Sequence, residues 1–534
     1  MKTILKKEIK KALDSLGITE DISIVIEIPK DKNNGDYSSN IAMQLTKVLK
    51  ANPRDIASKI IDNINNENII KVEIAGPGFL NFFVKKDYLF NNINDVIESK
   101  DSYGKSNYGN NEKINIEYVS ANPTGFLHIG HARGASYGDS LARIMKFAGF
   151  DVTREYYIND AGNQINNLEK SIKVRYENLC GIDSTLPENG YHGKDIIEVA
   201  KSIYEEYKTD APNHIFRKKG VDFLLRQIKK DLSDFDIDFD IWYSETSLYE
   251  DNSVNNTLNT LIENGYTYES EDATWLKTTM FGDEKDRVLV KSDKNNTYLL
   301  PDIAYHINKY QRGYDKLIDV LGADHHGYIA RLKASIKMMG YNPDNLDVKI
   351  LQMVRLLREG EEIKLSKRTG KTITLTELLE EVGKDASRYF FAMRSLDSQM
   401  DFDMTLATKK SNENPVYYIQ YAHARICSII REYNKEVKSL EKYETINSDH
   451  ALYLLSKVYE FKNVVEMSAK KREPHLIANY VYELATAFHS FYAHEKVLTN
   501  DEKYTKERIN LIASVATTIK NACYLLGVSA PEKM

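Results

Sequence analysis

The sequence predicts a multidomain α/β protein: a doubly wound parallel sheet with a long insertion, an α+β module before it and an α-helical bundle after it. Three observations carry that expectation. Ile114-Asn115-Ile116-Glu117-Tyr118-Val119 alternates like a strand, Leu141, Ile144, Met145 and Ala148 recur at helical spacing, and Asp151 to Ile158 reads as the next strand, which makes one βαβ unit. The apolar run Leu317 to Leu321, a helical pattern through Leu332, Ile336 and Met339, and a strand at Val348 to Val354 make a second. From about residue 411 onward the apolar period is helical almost throughout.

The N-terminal stretch is Lys-rich and amphipathic, with Ile4, Leu5, Ile9, Leu13 and Leu16 on a helical pattern and without the continuous apolar core of a signal peptide. A strand near Ile22 to Ile28, helices around Ser39 to Lys50 and Pro53 to Asn63, and a strand at Ile69 to Glu73 complete a module over 1–108, ending in a linker at Asp101 to Asn111 rich in Ser, Gly, Asn and Tyr. The sheet domain spans 109–405, interrupted over about 166–290 by charged helical segments and a β-like portion near Thr274 to Ser292. Helical blocks at Pro415 to Tyr433, His450 to Lys470, Pro474 to His494 and Thr505 to Leu526 fill the last domain, 406–534.

Composition sets limits. A length of 534 residues with 42% hydrophobic content supports several cores. The net charge of −6 excludes a uniformly basic nucleic-acid coat, so any RNA contact must use local patches. Cys180, Cys427 and Cys523 are far apart and form no C-x-x-C pair, so neither a disulfide framework nor a zinc site is indicated, and a reducing cytoplasm is the expected compartment. No run reads as a transmembrane helix, so no membrane partner is expected.

The chemistry concentrates where the first strand gives way to its helix. Gly125-Phe126-Leu127-His128-Ile129-Gly130-His131 places two imidazoles three apart at a helix N-terminus, which attracts anions, while Gly130 lets a flat ligand approach the backbone. Alone the tetrapeptide is ambiguous, because paired histidines also cap helices or bind metals. Far downstream lies Lys364-Leu365-Ser366-Lys367-Arg368-Thr369-Gly370, a basic loop able to fold over a triphosphate, although most such charge runs are solvated faces.

The two motifs together resemble the signature pair of class I aminoacyl-tRNA synthetases, and the surrounding words are similar to those of the arginyl-tRNA synthetases. Ile116 to Ala135, Tyr156 to Gln164, Asp286 to His306, Leu321 to Arg331 and Asn414 to Ile426 carry the resemblance, with Glu27 to Lys30 and Ala75 to Asn81 near the N-terminus. It implies a Rossmann-like catalytic domain, an N-terminal module that contacts tRNA, and a C-terminal anticodon-binding bundle. ATP with Mg2+, L-arginine and tRNA(Arg) are the implied ligands, and a monomer the implied state. Leu365 stands for the usual methionine of the loop and Arg368 for its final serine, and neither removes the key charge.

By the same resemblance His128, His131, Lys364 and Lys367 are catalytic, and Gly125, Gly130 and Ser366 join them around ATP. Tyr298 and Asp302 face the guanidinium, with Glu117, Asn122 and His128 at the amino and carboxylate end and His326, or its neighbour His325, lining the site. Tyr298 and Asp302 share a face if their segment is helical, whereas Pro301 allows a tight turn and Asp302 an N-cap. In the bundle, Tyr417, Tyr421 and Arg425 are expected to hold unstacked RNA bases, although tyrosines at this spacing are more often core. A metal hydrolase built on His128, His131, Asp324, His325 and His326 is disfavoured because no H-E-x-x-H or comparable motif appears. A small adenylyltransferase would not need the flanking domains, and a tRNA-binding relative without catalysis would not need intact His128, Gly130, His131, Lys364 and Lys367.

Overall fold

The computed structural model describes the chain except residues 19–21, 28, 30, 86 and 364–372 and the side chains of residues 2, 3, 32, 324 and 326. By internal contacts the chain forms two units, Met1–Glu98 with Lys438–Asn447, and Ser99–Val437 with Ser448–Met534.

The centre of the larger unit is a five-stranded parallel sheet. Its strands are β1 (Lys113–Glu117), β2 (Asp151–Ile158), β3 (Ile241–Ser244), β4 (Lys316–Gly322) and β5 (Leu346–Leu351), in the order β5-β4-β1-β2-β3. Ile114, Ile116, Leu317 and Ile318 are almost wholly buried, as strands covered on both faces require. The order reverses beside β1, so the crevice outside the carboxyl ends of β1 and β4 is the topological switch point. The helix after β1, α1 (Ile129–Phe147), lies so close to the sheet that a Cβ on Gly138 would sit 2.2 Å from the Tyr118 ring.

The central sheet differs from the sequence expectation in two places. Strand β3 lies within the insertion, where Ile-Trp-Tyr-Ser is too short to show a period. Val348 to Val354 is not one strand: the chain breaks at Gln352 and Met353, and β6 (Val354–Arg358) pairs instead with Met400–Asp403 and Glu361–Glu362. Arg133 of α1 fixes that break by donating to the Gln352 carbonyl at 2.8 Å.

The rest of the insertion supplies a three-stranded antiparallel sheet of Thr267–Ser270, Ala273–Leu276 and Arg287–Val290. Against it packs α2 (Leu299–Gln311), through Leu299, Leu300, Ile303, Ala304 and Ile307. Four long helices close the larger unit: α3 (Pro415–Tyr433), Asp449–Lys471, His475–His494 and Glu502–Leu526. The last is long and apolar enough to cross a membrane, a length the sequence reading passed over, but 78% of its apolar window is buried, as a core helix requires. The expected linker is anchored, since Asn521 donates to the carbonyls of Lys100 at 2.9 Å and Tyr103 at 3.0 Å.

In the smaller unit, Ile69–Ala75 and Phe79–Val84 form a hairpin flanked by Tyr37–Ser39. Among the described residues of the strand expected near Ile22 to Ile28, Glu27 forms a single bridge with Ser38. The helix expected over Ser39 to Lys50 splits at Leu45, whereas Pro53–Asp62 forms as a helix capped by the Asn52 side chain.

Candidate active site

The chain leaves β1 through Val119 and Ser120, whose φ angles of 70° and 40° are in the left-handed region. For a β-branched residue this conformation costs about 1–3 kcal/mol and persists only where the surroundings impose it. Here Ser120 does so: its hydroxyl donates to Glu117 Oε1 at 2.9 Å and accepts from the Tyr157 amide at 3.1 Å. Beyond the turn, Asn122 Nδ2 donates to Gln164 Oε1 at 2.5 Å.

His128 is the N-cap of α1, its Nδ1 accepting from the Gly130 amide at 3.1 Å, and His131 Nδ1 accepts from the His128 amide at 3.2 Å. The rings stack with centroids 3.8 Å apart. Because both Nδ1 atoms accept, the proton of each neutral ring resides on Nε2, so each presents an Nε2–H as donor. Burial, and then His128, push the His131 imidazole down to about 3, so it is neutral at pH 7. A Cβ on Gly130 would lie 3.1–3.2 Å from the His128 ring, so what this glycine first makes room for is the capping imidazole. At Gly125 the nearest atom to an added Cβ is an Asp195 carboxylate oxygen at 4.0 Å.

Lys364, Ser366, Lys367 and Arg368 lie outside the described residues. Their flanks are fixed on both sides: Ile363 N donates to Leu356 O at 2.8 Å, and Leu375 N to Leu127 O at 2.8 Å. Thr374, which heads the helix Leu375–Val382 in a capping box with Glu377, makes an isolated antiparallel bridge with His128. Thr374 and Leu375, which follow the basic segment in the chain, therefore lie against the start of α1.

On the other side of the switch point, α2 carries Asp302, His306 and Lys309 along one face. Tyr298 precedes the helix as its N-cap and is 60% exposed, so the segment is helical, Pro301 sits in its first turn where no N–H is needed, and Asp302 is not the cap. His306 Nδ1 lies 3.1 Å from Asp302 Oδ1 and Nε2 lies 2.7 Å from Asp319 Oδ2. Lys309 Nζ joins Asp319 Oδ1 at 3.0 Å to Glu117 Oε2 at 2.5 Å. Burial raises the Glu117 carboxyl against the pull of Lys309. Nearby, Glu245 hydrogen-bonds Tyr157 and Tyr249, and burial together with Asp160 and Asp302 pushes it up to about 7. His325 meets Tyr328 edge-on at 6.1 Å, while the His326 side chain is outside the description.

Sequence reading missed His306, Lys309, Asp319, Glu245, Ser120 and Gln164. A signal existed for the first three: positions 302, 306 and 309 share a helical face, and Asp319 is a lone charge in an apolar strand.

In α3, Tyr417 and Tyr421 stack at 6.1 Å, and the Arg425 guanidinium lies 4.5 Å over Tyr421 and 5.0 Å over Tyr492. Gln420 and His423 turn elsewhere and hold the C-terminal tail, Gln420 donating to Ser529 O at 3.1 Å while His423 Nδ1 lies 2.9 Å from Pro531 O.

Three family models match in series: arginyl tRNA synthetase N terminal domain at residues 3–84, tRNA synthetases class I (R), catalytic domain, at 92–397, and DALR anticodon binding domain at 419–534. The arginine--tRNA ligase of Staphylococcus epidermidis is 52% identical over 547 residues, covering 100% of this chain and 99% of that one. The chain belongs to the arginyl-tRNA synthetases. The ligase of that name from Bacillus subtilis is 51% identical over 552 residues, again covering 100% of this chain and 99% of its own. An arginyl-tRNA synthetase structure from Campylobacter jejuni superposes with a TM-score of 0.79 at 37% identity, covering 84% of this chain and 100% of that one. The Thermus thermophilus arginyl-tRNA synthetase shares the fold over 100% of both chains, with a TM-score of 0.78 at 20% identity.

As an arginyl-tRNA synthetase site, the arrangement separates two kinds of chemistry. The start of α1 offers neutral N–H donors and a helix dipole, suited to charge that develops on phosphate. The α2 side offers carboxylates, suited to a cation.

Proposed function

We infer that this chain ligates L-arginine to tRNA(Arg) in two steps: ATP and arginine give arginyl-adenylate with release of pyrophosphate, and the arginyl group then moves to the 3′-terminal adenosine. The observation that supports the reading is the stacked pair His128 and His131 at the start of α1, bridged to Thr374, beside a charge network that ends in Asp302 and Glu117.

In the first step a carboxylate attacks the α-phosphate, two anions meet, and the leaving pyrophosphate gains charge. Positioning and electrostatics dominate such a reaction. His128 and His131 donate Nε2–H to the phosphate, with Gly125 and Gly130 in the same ATP site. Lys364, Ser366 and Lys367 close over the departing pyrophosphate, Lys367 as the counter-charge. Mg2+ accompanies ATP, its ligands coming mainly from phosphate oxygens.

Asp302 and Tyr298 take the guanidinium, which a carboxylate binds bidentately and a lysine ammonium cannot mimic. Glu117, Asn122 and His128 meet the amino and carboxylate end, and His326 completes the pocket. Tyr417, Tyr421 and Arg425 offer stacking planes to tRNA bases. The enzyme acts as a cytoplasmic monomer without membrane association.

The test is charging of total tRNA with each of the twenty amino acids, joined to ATP–pyrophosphate exchange with arginine in the presence and absence of that tRNA. Charging by arginine alone is expected; charging by another amino acid overturns the pocket. Asp302→Asn should abolish arginine activation while leaving ATP binding intact.

A further inference from the structure

The two carboxylates assigned to arginine, Asp302 and Glu117, are the ends of one continuous chain of buried charge. Starting from Asp302, contacts run to His306 (3.1 Å), Asp319 (2.7 Å), Lys309 (3.0 Å) and Glu117 (2.5 Å). His306, Lys309 and Asp319 are at most 3% exposed. Charges alternate along it, three carboxylates against an imidazolium and an ammonium. The chain therefore ends in a carboxylate at each side, Glu117 at one end and, at the other, Asp302, whose side chain keeps 26% of its surface exposed.

Such a network is a poor device for stability alone. Desolvating five charges costs as much as their attraction returns, and apolar residues of similar volume commonly serve as well. Its termini suggest what it does instead. The His306 Nδ1–H reaches both Asp302 Oδ1 and the Asp302 carbonyl, 2.8 Å away, so it fixes the rotamer as well as the charge. The Tyr328 hydroxyl holds the same carboxylate from the neighbouring element. Burial works against a charge on His306, but Asp302 and Asp319 outweigh it and raise the imidazole to about 10, so the cation persists at neutral pH.

We propose that His306, backed by Asp319 and Lys309, is the positioning residue for arginine selection: it holds the Asp302 carboxylate oriented toward the substrate guanidinium. The α-ammonium common to all amino acids meets Glu117, so selection falls to Asp302, where a neutral side chain would forfeit the charge-assisted hydrogen bonds that a guanidinium makes. The proposal rests on the assignment of Asp302 to the guanidinium.

The experiment compares full-length wild-type enzyme with His306→Gln, Asp319→Asn and Asp302→Asn, reading calorimetric affinities for arginine and ATP, the KM and kcat values of arginylation, and thermal unfolding. His306→Gln keeps a hydrogen-bonding side chain but no charge. It is expected to weaken arginine binding roughly 10- to 100-fold, the loss of one charge-assisted hydrogen bond. ATP affinity and kcat at saturating arginine should stay within about threefold. Asp319→Asn should give the same split in smaller measure, and it is the deciding variant if His306→Gln does not fold. Unchanged arginine affinity in both variants overturns the proposal, as does a parallel fall of arginine and ATP affinities, which marks a structural role. If Asp302→Asn binds arginine like wild type, the guanidinium assignment itself is wrong; if it fails to bind while His306→Gln binds normally, only the role of His306 is.

Discussion

Thr374 bridges His128, so the residue that caps the helix after the basic loop is paired with the residue that caps α1. The start of the Leu375–Val382 helix and the histidines are thereby joined through backbone. Thr374→Ala removes the cap and should destabilise the Leu375–Val382 helix by about 1 kcal/mol. The expected kinetic result is a severalfold lower kcat for arginine-dependent pyrophosphate exchange with an unchanged KM for arginine.

His131 should leave no mark on the pH–rate profile near its ordinary range. With its imidazole at about 3, the ring is already neutral at pH 5.5, so adenylate formation should not titrate through this residue between pH 5.5 and 8. Replacing it with Ala should lower kcat by about 10²–10³, the effect of deleting one transition-state donor. Single-turnover rates across that pH range check both statements.

Glu245 sets a window of stability. Its unfolded carboxyl loses a proton near 4.5 and the folded one near 7, so between these values the folded state holds the extra proton. Stability from this group is therefore present at low pH and lost as pH rises to 7, by up to about 3 kcal/mol. Glu245→Gln should flatten that decline, and melting curves at pH 5 and 8 would show the melting temperature gap between wild type and variant reverse or close.

Arg388 is fully buried, with Nη2 2.5 Å from Asp139 and Nε 2.8 Å from the Leu526 carbonyl. Asp139 has a second partner in Arg143 Nε at 2.7 Å, so losing Arg388 removes one of its two ion pairs and leaves a cavity where the guanidinium was. Arg388→Ala should lower stability by about 2–5 kcal/mol, measured by denaturant unfolding, and Arg388→Ala with Asp139→Ala should lose less than the sum of the two.

Tyr421→Ala should raise the KM for tRNA about tenfold, the worth of one base–aromatic stack, without altering arginine or ATP parameters. Arg425→Ala should add a shallower dependence of tRNA binding on salt. Filter binding over a salt series separates the two contributions.

Much of the catalytic frame was legible because its signals are local. The period of Ile114 to Val119 and of α1 is a property of neighbouring residues, and so is the His128–His131 spacing. The charge chain was not legible, because Asp319 and Glu117 meet Lys309 only once β1 and β4 lie side by side. Strand β3 was missed for a similar reason: Ile241 to Ser244 becomes a strand by pairing with Tyr156 to Ile158, which tertiary context supplies and propensity does not. The crowd of polar groups on α3 read as one patch, whereas the fold divides it between Tyr417, Tyr421 and Arg425 on one side and Gln420 and His423 on the tail.

Asn94 gives both ends of its amide to Leu440, donating to its carbonyl at 2.7 Å and accepting from its N–H at 3.1 Å, while Phe90 stacks on Tyr443. The N-terminal module thus completes itself with a segment encoded more than 300 residues later, Lys438–Asn447. A gene cut after Glu98 would deliver a domain missing one wall, and the remaining piece would carry Tyr443 without the Phe90 ring it stacks on. The boundary visible along the chain is not a place where the protein can be divided.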